Sequence, residues 1–184
     1  MNKLSMDELA RMSVSDFKAA EKLPVVMVLD NVRSQNNIGS IFRTSDAFRI
    51  AGLCLCGICS TPPHRDIHKT ALGAEDSVEW QYYEETTECV KALGQKGYRV
   101  YAVEQVHGSM MLDSEALSAA VQSSAKIALV MGNEVEGVAE DVIDLCDGSI
   151  EIPQYGTKHS LNVSCSAAIV LWQIQCLMRK KLLS

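Results

Sequence analysis

The sequence predicts an α/β domain built on a mostly parallel sheet with helices on both of its faces. Strand-like and helix-like segments alternate from Pro24 to the end of the chain, which is the pattern of such folds. The strand-like segments are short and almost continuously apolar, as strands buried on both faces are. With 184 residues, of which 47% are hydrophobic, the chain can fill one full-sized core.

The segments follow one another in a regular order. The predicted strands are short apolar or alternating runs at 25–30, 53–58, 77–83, 99–105, 126–132 and 148–152. The predicted helices have apolar residues three or four apart; one begins near Ile38, and the others cover 86–96, 113–122, 139–146 and 160–181. A short amphipathic helix is expected within 1–20. The sequence contains no internal repeat and no linker-like stretch.

The charge is unevenly distributed along the chain. The net charge of −6 by itself argues against a nucleic-acid partner. Thirteen of the 23 acidic residues, however, lie in two stretches without Lys or Arg, 75–88 and 133–151. The remaining chain has 17 basic and 10 acidic residues. A basic surface is therefore compatible with the acidic total.

The composition also indicates a compartment. The first twenty residues mix charged and apolar side chains, unlike a secretion signal. The apolar run at 163–174 is interrupted by polar residues and is shorter than the roughly 20 residues that cross a bilayer. Most of the seven cysteines lie in apolar surroundings, and the pair Cys56 and Cys59 has no second pair with which to bind zinc. We expect a cytoplasmic protein with free thiols and no metal.

Polar, Gly- or Asn-rich segments follow three of the predicted strands. They contain NVRSQNNIGSIFR, GNEVEG and PQYGTKHSLN. Ligands of parallel α/β sheets bind beyond the carboxyl ends of the strands, so these segments are the candidate site. Gly39, near a helix start, predicts a close approach of two backbones. Neither of the glycine-rich nucleotide fingerprints is present.

Three segments resemble, in order, the motifs of the SpoU or TrmH family of RNA 2′-O-ribose methyltransferases, which belong to the SPOUT class. They are NNIGSIFRTSDAF (36–48), ALVMGNEVEGV (128–138) and IPQYGTKHSLNVSCSAA (152–168), and KTALGAED (69–76) adds to the resemblance. It covers nearly the whole chain from Val25 onward. It implies a methyltransferase domain over 24–184, after a helical extension over 1–23, with a deep C-terminal trefoil knot. It further implies S-adenosylmethionine as cofactor, tRNA or rRNA as partner and a homodimer formed through the last helix.

The resemblance also implies site residues. Gly132, Ile152 and Leu161 match cofactor-binding positions, where we expect contacts mainly through the main chain. Arg43 matches an arginine of the first motif. Because arginine stays protonated, it would clamp a phosphate or stabilise the developing alkoxide.

Four further side chains complete the predicted catalytic set. Asn37 would order the arginine segment, and Glu134 would orient Arg43 or the motif loops through an ion pair. Ser160 and Asn162 would hydrogen-bond at the reacting centre. Structural interpretations remain open, since Asn37 and Ser160 could each be a helix N-cap. Glu134 could equally be one more carboxylate of an acidic loop, and Arg43 a solvated charge on a helix.

Several features leave alternatives open. Val135 stands where the family commonly has glycine, which predicts a rearranged loop if a positive φ is required there. Together with the acidic total, it favours a second hypothesis, a catalytically inactive knotted RNA-binding module. A third hypothesis is a methyltransferase with a non-RNA acceptor.

Two basic segments and the last helix allow two interpretations each. Lys158 and His159 could contact phosphate or belong to a solvated loop, as could a cluster formed by His64, Arg65, His68 and Lys69. The last helix carries a main apolar stripe and further apolar residues outside it, among them Ile169 and Trp172. Such a helix lies in a dimer interface or entirely inside a monomer.

Overall fold

The structure is a computed structural model that describes residues 3, 12–158 and 160–183. Over this part of the chain, seven strands form one sheet in the order β3-β2-β1-β6-β4-β7-β5, and all of the paired strands are parallel. The strands are β1 Leu23–Asp30, β2 Ile50–Cys56, β3 Trp80–Tyr83, β4 Arg99–Val103, β5 Met110–Met111, β6 Ile127–Met131 and β7 Gly148–Glu151. The predicted fold class is confirmed.

Helices cover both faces of the sheet. They are α1 Val14–Ala19, α2 Gln35–Ala47, α3 Arg65–Ala71, α4 Ala74–Ser77, α5 Thr86–Gln95, α6 Glu115–Ser123, α7 Glu140–Ile143 and α8 Val163–Leu183. One apolar cluster joins the sheet to α2, α3, α6 and α8, and a second joins its other face to α5 and α7. The alternating apolar residues of β1, β2, β4 and β6 divide between these two clusters.

The last helix packs as its main stripe predicts. The residues of that stripe are buried: Ala167, Val170, Leu171, Ile174, Leu177 and Met178. Ile169 and Trp172 lie outside the stripe and are 40% and 57% exposed. The interpretation in which the last helix is buried on all sides within a monomer is therefore wrong, because these two side chains reach the surface of the chain.

Some predicted boundaries were wrong. The strand expected over 77–83 begins only at Trp80, because Ser77 ends α4 and its buried hydroxyl donates to Ala74 O at 3.0 Å. The short elements α3, α4 and β5 were not predicted. The last helix begins at Val163, three residues later than expected. Of the helix expected within 1–20, α1 forms the described end, and residues 1, 2 and 4–11 lie outside the described residues.

The strand order places the candidate segments together. From β1 the chain passes to β2 and then to β3, which lie in that order on one side of β1. The four later strands lie on the other side of β1, where β6 is the direct neighbour of β1. The order thus reverses between β1 and β6, and ligands of open α/β sheets bind outside the carboxyl ends of strands at such a point. The segments after β1, β6 and β7 all lie at this edge. The trefoil knot stays a prediction, with which the arrangement is consistent.

Two further findings concern membrane-crossing helices and metal-binding groups. Among the helices of the described residues, none combines the length and apolar character that crossing a bilayer requires. Within the same residues, all seven cysteines are free thiols, and no three His, Cys, Asp or Glu side chains are grouped so as to hold a metal ion.

Candidate functional site

A cleft of about 450 Å³ opens at the carboxyl ends of β4, β6 and β7, beside the start of α8. Six of the eight predicted site residues line it: Gly132, Glu134, Ile152, Ser160, Leu161 and Asn162. A seventh, Asn37, is hydrogen-bonded to two of these six. The eighth, Arg43, is not among the lining residues.

The segment after β6 forms a tight turn that makes one wall of the cleft. Asn133 N donates to Gly137 O at 2.9 Å, and Gly137 N donates to Asn133 O at 3.0 Å. The Asn133 Oδ1 atom accepts from Val135 N at 2.8 Å and from Glu136 N at 3.3 Å. Asn133, the first residue of the turn, therefore holds the turn together with its main chain and its side chain.

Gly132 is required by this turn. A Cβ atom at Gly132 would lie 2.1 Å from Gly137 C and 2.2 Å from Val138 N. Since both are backbone atoms, neither can move aside without deforming the turn. The structure gives a further reason for glycine at this position, since the close neighbour is the chain's own backbone. Main-chain contact with the cofactor at Gly132 stays a prediction.

Val135 fits the turn without strain. The only described non-glycine residues with a positive φ are Asn31, Arg49 and Leu72. Within the turn, the positive φ of +72° belongs to Gly137, while the Val135 side chain is 78% exposed. The positive φ that would strain a valine at this position is therefore absent, and a loop rearranged relative to the family stays a prediction.

Glu104, which follows β4, braces the same turn and was missed by the sequence reasoning. Its Oε2 atom accepts from Val138 N at 3.0 Å, and its Oε1 atom accepts from Gln105 N at 2.9 Å. A Cβ atom at Gly137 would lie 2.2 Å from Glu104 Oε2. The available signal was an acidic residue directly after a buried strand, at the edge where ligands bind.

Glu134 connects this turn to the segment before α2. Its carboxylate accepts from Arg33 N at 3.0 Å, from Ser34 N at 3.1 Å and from Asn37 Nδ2 at 2.9 Å. Burial raises the pKa of Glu134, but these hydrogen bonds outweigh burial and hold that pKa below its ordinary value. Glu134 therefore contacts the segment that carries the first motif through hydrogen bonds, and its orienting role in the site stays a prediction. An ion pair with Arg43 is absent among the described residues.

Asn37 and Asn162 complete the connection. Asn162 Nδ2 donates to Asn37 Oδ1 at 3.1 Å. The Glu134, Asn37 and Asn162 side chains therefore form one chain of hydrogen bonds, called here the motif bridge. It joins the first motif segment to the second and the third, since Asn37 is 97 residues from Glu134 and 125 residues from Asn162 along the chain.

The helix caps differ from the predicted ones. Ser34, and not Asn37, caps α2, since its Oγ atom accepts from Asn37 N at 3.3 Å. Asn162, and not Ser160, caps α8, since its Oδ1 atom accepts from Ser164 N at 3.0 Å and from Cys165 N at 3.4 Å. Asn162 thus serves both the helix and the motif bridge with one amide group.

Arg43 lies on α2, six residues after Asn37, which corresponds to about 9 Å along the helix axis. Its side chain is exposed and has no hydrogen bond or ion pair with another described residue. The structure therefore leaves its guanidinium available to a partner outside the chain and does not bring it into the cleft.

The cleft offers main-chain groups to a ligand. The N–H and C=O groups of Gly132, Ile152 and Leu161 make no hydrogen bond with any other residue in the described ranges. Three lining residues are acidic, Glu104, Glu134 and Glu136, and none of the described lining residues is Lys or Arg. Such a lining favours a ligand that carries positive charge.

Of the two predicted basic segments, one is described only in part, and three of the four residues of the other line a cavity. Lys158 is exposed and His159 lies outside the described residues. His64, Arg65 and His68 line a separate cavity beside α3. Lys69 is exposed and does not line that cavity.

Known proteins resemble the chain along most of its length. A protein of Staphylococcus saprophyticus assigned to the TrmH family of tRNA/rRNA methyltransferases is 26% identical over 161 residues, which are 88% of this chain and 62% of that protein. The chain thus spans about three fifths of the length of the curated relatives it matches.

Two solved structures share the fold. The TrmH/SpoU tRNA modifying enzyme of A. aeolicus superposes with a TM-score of 0.76 at 23% identity, over 91% of this chain and 81% of that one. An AdoMet-bound rRNA methyltransferase from Sinorhizobium meliloti has a TM-score of 0.75 at 24% identity, over 91% and 61%. The sequence model of the SpoU rRNA methylase family matches residues 24–172, which include all three motif segments and the cleft they form. The chain belongs to the SpoU rRNA methylase family.

Proposed function

We propose that the protein is an S-adenosylmethionine-dependent methyltransferase that transfers a methyl group to a ribose 2′-hydroxyl of tRNA or rRNA. The motif bridge carries the proposal. It gathers the three motif segments of the family around one cleft, and that cleft presents unpaired main-chain groups. Family membership and the AdoMet-bound neighbour support the same cofactor.

The residues of the cleft fit S-adenosylmethionine. The volume of about 450 Å³ lies within the usual range for small-molecule sites. The free main-chain groups of Gly132, Ile152 and Leu161 can hydrogen-bond the edge of an adenine ring, and their side chains leave room or give apolar cover. The acidic lining suits a positively charged sulfonium. When bound, the cofactor supplies an electrophilic methyl group.

The chain's own side chains then orient the acceptor. A ribose hydroxyl is a poor nucleophile, so positioning it and stabilising the negative charge that develops on its oxygen are the main tasks. Ser160 lines the cleft, and its hydroxyl has no partner among the described residues. It can accept a hydrogen bond from the acceptor. Glu134 and Asn37 hold the Asn162 amide in place beside it.

Arg43 acts as a cation and not as a base. Its guanidinium is exposed on the helix that begins at the motif bridge. This exposed charge supports a role in binding an RNA phosphate next to the acceptor ribose, or in stabilising the alkoxide once RNA docks.

Transfer of a tritiated methyl group from S-adenosylmethionine to bulk tRNA and rRNA tests the proposal. Arg43→Ala should bind the cofactor as the unchanged protein does and lose about 100-fold or more in transfer rate. Lys91→Ala, which removes an exposed charge on α5, is the matched control and should keep full activity. If Arg43→Ala is fully active, the role of Arg43 is wrong, and if no RNA is labelled while the cofactor binds, the reaction is wrong.

Two measurements separate the alternatives. Calorimetry with S-adenosylmethionine should show binding, and its absence would favour the inactive RNA-binding module. The absence of a positive φ at Val135 supports the active enzyme over that module, because the valine is accommodated without backbone strain. Binding to RNA should weaken steeply with salt, since phosphate contacts release counterions. No RNA binding at low salt would favour a non-RNA acceptor.

A further inference from the structure

We propose that the cavity beside α3 is a second RNA site that binds one unpaired ribonucleotide whose base carries an amino group. This inference rests on the proposed function, because it assumes an RNA partner. The cavity has a volume of about 560 Å³ and lies between the segment before α3, the helices α3 and α4, and the first residue of β3. Its lining includes Pro62, His64, Arg65, His68, Glu75 and Trp80. None of these residues has a role in the cleft.

Trp80 provides a stacking surface. It is the first residue of β3, the strand at one edge of the sheet. Its side chain is half-buried against the core and also lines the cavity, so the indole is held in place while one part stays accessible. Sequence-specific recognition of RNA depends on unpaired bases that stack on aromatic rings, and each such stack contributes about 1–3 kcal/mol.

Arg65 and His64 supply donors for a phosphate. The Arg65 side chain is exposed and has no hydrogen bond or ion pair within the described part of the chain. His64 Nδ1 accepts from Asp66 N at 3.2 Å. The neutral ring therefore carries its proton on Nε2, where it can be donated to a ligand. A guanidinium next to an imidazole N–H suits a nucleotide phosphate.

Carboxylates on α4 select the base. The Glu75 side chain is 8% exposed, and its Oε1 atom contacts His68 Nδ1. Its Oε2 atom is buried without a hydrogen-bond partner among the described residues. Asp76 also lines the cavity and is exposed. Carboxylates accept hydrogen bonds from the amino groups of cytosine, adenine and guanine. Uracil has an acceptor oxygen where cytosine has its amino group, so that edge repels a carboxylate, and only the ring N3–H can donate.

The cavity is fixed relative to the cleft. Thr70 Oγ1 of α3 donates to Asn36 O of α2 at 3.0 Å. A Cβ atom at Gly39 would lie 2.1 Å from Thr70 Oγ1 and 2.3 Å from Ile67 O, so the two helices pack at backbone distance. Because α2 carries Asn37 of the motif bridge, the cavity can read one nucleotide while another is held at the cleft.

Fluorescence tests the site without cofactor or methyl transfer. The chain has two tryptophans, so Trp172→Phe leaves Trp80 as the only reporter and Trp80→Phe leaves Trp172. We expect cytidine 5′-monophosphate and adenosine 5′-monophosphate to quench the first variant in a saturable way and to leave the second unchanged. Adding Arg65→Ala to the Trp172→Phe protein should weaken binding about tenfold, as loss of a charge-assisted hydrogen bond does. Adding Lys91→Ala instead should have no effect.

Three further ligands test the contributions of the phosphate, the nucleoside and the base separately. Inorganic phosphate and cytidine should each bind more weakly than the nucleotide, and uridine 5′-monophosphate should bind at least several-fold more weakly. Absence of saturable quenching, or equal affinity for inorganic phosphate, would overturn the site. Equal affinity for the uridine nucleotide would overturn the selection of an amino base. Cofactor calorimetry and methyl transfer are measured separately, so either proposal can fail while the other stands.

Discussion

Two glycines near the cleft differ in what a side chain would meet. At Gly132 a Cβ atom would collide with the backbone of Gly137 and Val138, whereas at Gly156 nothing lies within 4 Å. Gly132→Ala should therefore lower the free energy of unfolding by about 1–3 kcal/mol, as overpacking does, and weaken cofactor binding. Gly156→Ala should change it by less than about 0.5 kcal/mol. Urea denaturation measures the free energy of unfolding of each variant, and calorimetry measures its cofactor binding. Equal stability of the two variants would contradict the packing argument.

Glu134 makes stability depend on pH. Its pKa in the folded protein is lowered from 4.5, because hydrogen bonds from Arg33, Asn37 and Ser34 to the ionised carboxylate outweigh burial. A lowered folded pKa stabilises the fold above the unfolded pKa, and this stabilisation is lost as the pH falls through the folded pKa. The difference in melting temperature between the unchanged protein and Glu134→Gln should therefore shrink as the pH falls below about 5. A difference that is constant from pH 7 to the acid limit of folding would refute this.

At the scale of elements, the amide of Asn162 at the start of α8 has two tasks, one in helix stability and one in the motif bridge, and two variants can separate them. Asn162 Oδ1 accepts from the first amides of the helix, while Asn162 Nδ2 donates to Asn37. Asn162→Ala should cost about 1 kcal/mol of stability, the usual value of an N-cap. Asn162→Asp keeps the capping oxygen and loses the donor, so it should stay folded with slower methyl transfer.

Ser160→Ala is the control for this helix, since Ser160 does not cap it. Its free energy of unfolding should stay within about 0.5 kcal/mol of the unchanged protein. Chemical denaturation gives the stabilities, and the tritium assay gives the rates. If Asn162→Asp is as active as the unchanged protein, the motif bridge does not position the acceptor.

Elements were predictable where the local pattern was strong. The buried strands β1, β2, β4 and β6 are apolar runs whose sequence admits few other structures. The helices α3 and α4 are short, with seven and four residues, and β5 has only two. Such segments are held by tertiary contacts, such as those of α3 with Gly39, and periodicity over so few residues indicates no particular structure.

At the scale of the whole molecule, the exposed side of α8 predicts a homodimer. Ile169 and Trp172 are 40% and 57% exposed, and the Trp172 ring lies 6.1 Å from that of Phe48. Large apolar and aromatic residues grouped on a surface are typical of interfaces. Sedimentation should give twice the chain mass, and Trp172→Asp should give a monomer at micromolar concentration. Leu145→Asp, at a residue 40% exposed on another surface, should remain dimeric, and a dimer that survives Trp172→Asp would place the interface elsewhere.

The sequence by itself predicted the fold class, the family and eight site residues, seven of which line the cleft or are hydrogen-bonded to residues that line it. These follow from patterns local to the chain: apolar runs, glycines, and three motif segments in order. The tertiary structure decided which groups touch. Three findings depend on where residues far apart along the chain lie in the fold: Glu134 accepts from main-chain amides just before α2, Glu104 braces the turn, and Arg43 lies away from the cleft. The positive φ at Gly137, and not at Val135, depends on how the turn closes. Local sequence fixes which groups a segment offers, but the distance between two such groups exists only once the sheet has brought their segments to one edge.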